Sequence, residues 1–348
     1  MKTCGDDGRG RPGVSWADVT STPPQTPPLP VDAPAPAPLH APRWALPAAV
    51  VGGVMGALQS RINADLAAEL EDGFTAAAIS FGSGLVIILV LLVVMPRVRE
   101  LSRGFWRDLR SGGFPWPLAL GGLGGATFVL GQGLSVGLIG VALFIVCVVA
   151  GQTVTGLVVD RVGLGPGGVR HLTPTRVVGA IMMVASVALA MSGGIATEAP
   201  WYLLALPMVA GVAMGLQQAV NGRVSQHSGH FMVATLGNFI VGTTALVLAA
   251  GVHALVVGAP QPLPTNPLLY CGGAIGVVFI AMAAHLAGPL GVLTLAMATI
   301  SGQIIGSVVL DALGGQGHLT PATIGGAVLT LLAALVTAGL RRRRPAAA

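Results

Sequence analysis

The sequence predicts an all-α integral membrane protein, with ten transmembrane helices in two inverted five-helix repeats behind a disordered, Pro-rich N-terminal tail. Three observations carry that expectation. The 348 residues are 53% hydrophobic and only 9% charged, with a mean hydropathy of +0.80, whereas soluble domains carry about 25% charged residues. Two stretches repeat one polar signature, Leu58-Gln59-Ser60-Arg61-Ile62-Asn63 and Leu216-Gln217-Gln218-Ala219-Val220-Asn221, each in the leading helix of a hydrophobic half. The arginines cluster beside hydrophobic segments, the distribution that sets membrane orientation, and form no nucleic-acid stripe.

Residues 1–43 are a different material. Runs such as Pro23-Pro24-Gln25-Thr26-Pro27-Pro28 and Ala33-Pro34-Ala35-Pro36-Ala37-Pro38 favour extended, solvated backbone and cannot pack a core. No apolar h-region with a small-residue cleavage site precedes the first helix, which is therefore expected to stay as a span.

The first repeat, 44–195, holds five segments near the roughly 20 residues that cross a bilayer: Trp44 to Leu66, Phe74 to Met95, Pro117 to Val136, Val141 to Val159 and Thr175 to Ser192. The second, 196–348, holds Trp201 to Val224, Phe231 to Val257, Leu268 to Leu286, Leu290 to Leu310 and Pro321 to Leu340, then an Arg-rich end. The halves correspond segment by segment. Gly53, Phe81 and Gly84 match Gly211, Phe239 and Gly242; Gly121-Gly122 and Gly125 match Gly272-Gly273 and Gly276; Gly151-Gln152 and Asp160 match Gly302-Gln303 and Asp311. Leu172-Thr173-Pro174 and Leu319-Thr320-Pro321 open the last helices alike. That preserved order of polar residues argues for duplication, and a fused duplicate is expected to work as a monomer.

Orientation follows from charge. Arg97, Arg99, Arg103, Arg107 and Arg110 fall between spans two and three, Arg161, Arg170 and Arg176 around the start of span five, and Arg341 to Arg344 after span ten. With both termini cytoplasmic all of them lie inside, as the positive-inside rule asks. Asp65, Glu69, Glu71, Asp72, Glu198 and Asp311 then lie outside, with Arg61 as the one basic residue near them. An odd number of spans per repeat makes the second half insert upside down, the plan of alternating-access carriers.

Polar side chains inside apolar spans point to the site, since leaving them unsatisfied in hydrocarbon is costly. Gln59 and Asn63, like Gln217 and Asn221, are four apart and so share one helix face. Amides both donate and accept, which suits a polar uncharged substrate, although the same groups can simply bond neighbouring helices. Ser80 and its counterpart Asn238, with Gln152, Gln303 and Gln132, form a second set, and the candidate substrate-binding residues are Gln59, Asn63, Ser80, Gln152, Gln217, Asn221, Asn238 and Gln303. Arg61 and Asp65 have the i, i+4 spacing of a helix-end salt bridge. His285, near the end of span eight, is a candidate proton site, since an imidazole can change charge near neutral pH. Glycine, at 51 residues, serves close helix packing first. Cys4 sits in the tail and Cys147 and Cys271 in apolar spans, so no disulfide framework is implied. No catalytic residue set, metal site or nucleotide-binding loop is recognisable, which predicts no cofactor, no enzymatic activity and no ATP drive.

The L-Q-x-x-[IV]-N element, followed by Ser80-Phe81 with Gly84 or Asn238-Phe239 with Gly242, resembles the YdcZ-like inner-membrane exporters of the drug/metabolite transporter (DMT) superfamily. That family's unit has five helices, and residues 44 to 340 look like its fused, double-length form. The resemblance implies a bacterial inner-membrane carrier of small molecules and transfers the motif to Gln59, Asn63, Gln217 and Asn221, with Gln218 standing where Ser60 does. The expected function is a secondary transporter of a small organic solute, exporting by alternating access, with the lipid bilayer as partner and nucleic acid excluded. A passive channel or facilitator is the alternative; a non-transporting membrane subunit or intramembrane enzyme is a more distant one.

Overall fold

The computed structural model describes residues 42–338 apart from 167, 170, 172, 194–200, 291 and 316–318. The tail at 1–41, the joint between the expected repeats and Arg341 to Arg344 lie outside the described residues. The elements are α1 (Ala45–Leu70), α2 (Gly73–Val94), α3 (Pro96–Ser111), α4 (Gly122–Val162), α5 (Pro174–Met191), α6 (Trp201–Ser228), α7 (Phe231–Val256), α8 (Gly272–Leu290), α9 (Val292–Gly314) and α10 (Pro321–Ala338). Every regular element among the described residues is helical, with short 3-10 turns at Trp116–Gly121 and Pro267–Tyr270.

Among the described residues, six helical stretches are long and apolar enough to cross a membrane. Their outer faces are apolar as well: Leu255 is 89% exposed, Val256 78% and Val93 71%, a surface that water would not tolerate but lipid would.

Helix α4 runs through 41 residues where two separate spans are expected, and it is broken at Gly140, where φ is 80° and ψ 161°. In a straight helix Phe128 and Phe144 would stand about 24 Å apart at 1.5 Å per residue. Their ring centroids are 5.7 Å apart, so the chain doubles back at Gly140 and α4 is a hairpin of two helical limbs. Only glycine takes that backbone angle without strain. The limbs coincide with the expected third and fourth spans, shifted by a few residues at their outer ends. From Val141 to Ala150 every residue of the second limb is buried, which makes it the central helix of the bundle.

One helix has no counterpart in the sequence reading. Between spans two and three the arginines sit on α3, an amphipathic helix opened by Pro96, whose missing N–H is no loss in a first turn. Val98, Ser102 and Phe105 are its buried face. Phe105 packs with Phe114, Val224, Val233 and Ala234, while Arg97, Arg99, Arg103, Arg107 and Arg110 are all exposed.

Packing pairs the halves helix for helix. α1 lies against α9 where Gly53 meets Gly302, and α6 lies against the second limb of α4 where Gly211 meets Gly151; a Cβ on any of the four would overlap the facing backbone. In the same way α1 packs on α8 and α6 on the first limb of α4. α2 and α7 cross each other, with Phe81 filling the space above Gly242 and Phe239 that above Gly84, rings 5.0 Å apart. α5 and α10 meet through Thr330 Oγ1, which donates to Ser186 Oγ at 2.8 Å.

The bundle has a basic and an acidic end. At the basic end Arg223 Nε and Nη2 donate to the carbonyls of Leu164 and Gly163 at 2.7 and 2.6 Å, His227 Nε2 lies 3.1 Å from Asp108 Oδ2, and Arg176 pairs with Asp160. At the acidic end Gln261 N donates to Leu70 O at 3.0 Å, and Asp72 caps α2, accepting from Phe74 N at 2.8 Å and Thr75 Oγ1 at 2.5 Å. His253 stacks on Phe74 with centroids 4.7 Å apart and brings Nδ1 to 3.4 Å from Asp72. α1 therefore ends at the acidic end and α6 at the basic end, so the two leading helices run in opposite directions.

Candidate functional site

The repeated amides of α1 and α6 reach the seams just described. On α1, Asn63 is fully buried and its Nδ2 donates to Gln132 Oε1 at 2.6 Å; Gln132 Nε2 in turn donates to Ser60 Oγ at 2.8 Å, and that hydroxyl donates to Gly56 O at 3.1 Å. This chain joins α1 to the first limb of α4 without a charge. Among the described residues Asn63 Oδ1 accepts nothing; it faces Gly272 of α8, as does the buried Oγ of Ser80 from α2, likewise without a partner there. One turn along each helix, Gln59 lies over Gly276.

The second half builds the same arrangement. Asn221 of α6 and Asn238 of α7 converge on Gly121, each carbonyl oxygen 3.1 Å from where a Cβ would stand, and Gln217 lies over Gly125 with its Oε1 buried and unpartnered. A cavity of about 340 Å³ opens beside this cluster, lined by Leu123, Gly124, Ala213, Leu216 and Gln217 among others. Phe81, against Gly125, and Phe239 stand between the two clusters.

Six of the eight candidate residues are thus gathered, but into two clusters on opposite seams and not around one central cavity. The reason is steric: the glycines facing each amide let the helices close on it. Of the other two, Gln303 is half-buried against Gly56 on the α1–α9 seam, and Gln152 is half-buried on the second limb of α4, where its carbonyl faces Gly215. Neither joins an amide cluster. Gln132, a weaker candidate from sequence, is the partner of Asn63, so the amide of the first half does bond a neighbouring helix.

The other polar residues singled out in the sequence have structural settings. Arg61 Nε bonds Asp65 Oδ1 at 2.9 Å, the expected salt bridge, at the edge of an open cavity of about 660 Å³ with Glu69 and Asn266. His285 is exposed and stacks on Trp44 at 6.2 Å. Cys147 is buried, Cys271 half-buried, and both are free thiols. Asp311, expected beyond the end of span nine, instead lies within α9 at 5% exposure and accepts from the backbone N–H groups of Val141 and Ala142 at 2.9 and 2.8 Å. Among the described residues no group of three His, Cys, Asp or Glu could hold a metal ion.

Apolar helices with lipid-ready faces, joined by uncharged polar clusters at their seams, are the make-up of a multi-pass membrane protein. A family model described as "Putative inner membrane exporter, YdcZ" (DMT_YdcZ) matches residues 44–189 and again 202–336, so the chain belongs to that family and is a multi-pass inner-membrane protein. A solved crystal structure superposes over 84% of this chain and 94% of its own, with a TM-score of 0.50 at 18% identity, a likeness of fold alone. No curated protein matches the chain.

Proposed function

We propose that the protein is a secondary carrier that exports a small neutral or zwitterionic organic solute by alternating access between two inverted five-helix repeats, 44–195 and 196–348. The observation that carries the proposal is the double amide cluster: Asn63 and Ser80 at Gly272, Asn221 and Asn238 at Gly121. Each cluster joins helices of opposite halves, so sliding one half against the other uncovers amide groups toward one side and then toward the other. The family match in two stretches supports the duplication. The opposite directions of α1 and α6 support its inversion.

In this reading the basic end is cytoplasmic, both termini lie there, and the chain works as a monomer. Gln59, Asn63, Ser80, Gln217, Asn221 and Asn238 hold the solute through donated and accepted hydrogen bonds, with Gln152 and Gln303 along the neighbouring seams. Among the described residues no charged group enters either cluster, which is why an uncharged or internally neutralised solute fits.

The test is counterflow. A thermal-shift screen of neutral and zwitterionic metabolites on the purified chain selects a ligand by its stabilisation of the folded state. Proteoliposomes preloaded with that ligand are then expected to accumulate labelled ligand transiently and saturably. Flux that never saturates and shows no counterflow would identify a passive pore instead.

A further inference from the structure

The carboxylate of Asp311 does something the transport reading has not used. The second limb of α4 starts at Val141, directly after Gly140, and a glycine at that point has no side chain with which to cap the new helix. The cap comes from the other half of the molecule: Asp311 Oδ1 accepts from Val141 N at 2.9 Å and Oδ2 from Ala142 N at 2.8 Å. Both Val141 and Ala142 are fully buried and Asp311 is 5% exposed.

Burying a carboxylate is costly unless its charge is met. Among the described residues no cation meets this one. The charged groups that α1 brings to this end of α9 are Arg61 and Asp65, bonded to each other, with Arg61 reaching Gly314; α10 and the α4 hairpin tip carry no titratable side chain over the described residues. The positive end of the second limb and its two free N–H groups are therefore what hold the charge in place. A neutral hydroxyl or amide can also cap a helix, but it offers one acceptor atom and no charge, whereas the two oxygens of this carboxylate take both N–H groups from across the repeats.

The repeat-related acid behaves differently. Asp160 is bound to Arg176 at the basic end, and Thr323 occupies the position in α10 that Arg176 holds in α5. One acid of the pair is neutralised by an arginine of its own half; the other is left to grip the opposite half.

We propose that Asp311 is the latch of the acidic end: its carboxylate holds the tip of the α4 hairpin against α9, closing the bundle there, and must let go for the transporter to open on that side. It is a positioning residue for the transport cycle, and the inference rests on the alternating-access reading for its role but not for its test.

The test measures the latch directly, without a substrate. Full-length protein lacking Cys4, Cys147 and Cys271 is placed in lipid nanodiscs, where both faces are accessible. A single cysteine is introduced either at Ile139, 1% exposed beside the tip, or at Gly137, exposed and with open space for a side chain. The maleimide labelling rate at position 139, divided by that at 137, reports opening of the tip. With Asp311 present the ratio is expected to be small. Asp311→Asn should raise it about ten-fold, the effect of losing a charge-assisted bond to a helix start, and Asp311→Glu should restore most of it. Val141→Pro removes one donor at a helix position where proline is tolerated, and should open the tip with the carboxylate intact. A ratio that stays low in both Asp311→Asn and Val141→Pro, in protein that elutes as the parent does, would overturn the latch. Loss of counterflow with an unchanged ratio would overturn it equally while leaving the carrier reading in place.

Discussion

Asn63 and Asn221 occupy the same place in the repeated motif but not the same environment. Asn63 is fully buried and bonds Gln132 at 2.6 Å, whereas Asn221 is half-buried and has no side-chain bond among the described residues. Asn63→Ala leaves Gln132 Oε1 without its donor, a loss expected to cost about 1 to 3 kcal/mol. Asn221→Ala removes no bond and should leave stability within about 0.5 kcal/mol. Both should reduce counterflow at least about ten-fold if each amide contacts the solute, the loss expected when a bound polar group goes unpaired. Thermal melting of the two variants beside the parent separates the effects, and equal melting temperatures would contradict the bonding difference. Sequence spacing placed both amides on shared helix faces; that those faces dock on glycines of the partner helices came only from the structure. The hydrogen bond to Gln132 was not legible, because which of several intramembrane amides meets which depends on helix rotation and depth, and spacing along one helix does not encode either.

At the scale of elements the seams are built from glycine. Gly53 and Gly211 each approach a facing backbone so closely that an added methyl would overlap a carbonyl oxygen. Gly53→Ala and Gly211→Ala are therefore expected to destabilise by about 1 to 3 kcal/mol, the usual consequence of forcing a methyl into a packed interior. Gly104 is the opposite case: it lies inside α3 with nothing within 4 Å of a new Cβ, so Gly104→Ala should stabilise by about 0.5 to 1 kcal/mol through helix propensity alone. Melting in detergent distinguishes the two directions, and a Gly53→Ala protein as stable as the parent would show that α1 and α9 are not locked by this contact. The paired glycines were readable as a repeat in the sequence. The break in α4 was readable too, since the third and fourth spans were expected to part between Val136 and Val141, and Gly140 lies in that gap. Two features of this scale were not: that the turn is made at one glycine with no polar loop, and that the arginines between spans two and three form a helix. α3 carries so many arginines that its buried face, Val98, Ser102 and Phe105, is sparse, and charge distracts from a periodicity that was nevertheless present.

For the whole molecule, the opposed directions of α1 and α6 and the segregation of charge make a topological prediction. Arg97 to Arg110 on α3, Arg176 and Arg223 gather at one end, Asp65, Glu69, Asp72 and Asp311 at the other. By the positive-inside rule the basic end is expected in the cytoplasm, and α10, antiparallel to α5 where Gly193 meets Thr320 and Ala322, finishes at that same end. A reporter fused after Leu340 should therefore read cytoplasmic, and one inserted within 194–200 periplasmic. Both reading the same side would dismantle the inverted arrangement, and with it the proposal that sliding one half against the other uncovers the two amide clusters in turn. Reversing the charge of α3 by replacing its five arginines with glutamate tests the cause: because α3 lies outside the spans and exposes all five side chains, the fold loses little, while the orientation signal of the first half is removed. A population inserted in both directions is the expected result. Uniform insertion after that change would mean that Arg161, Arg176 and the arginines after α10 suffice to orient the bundle without help from α3.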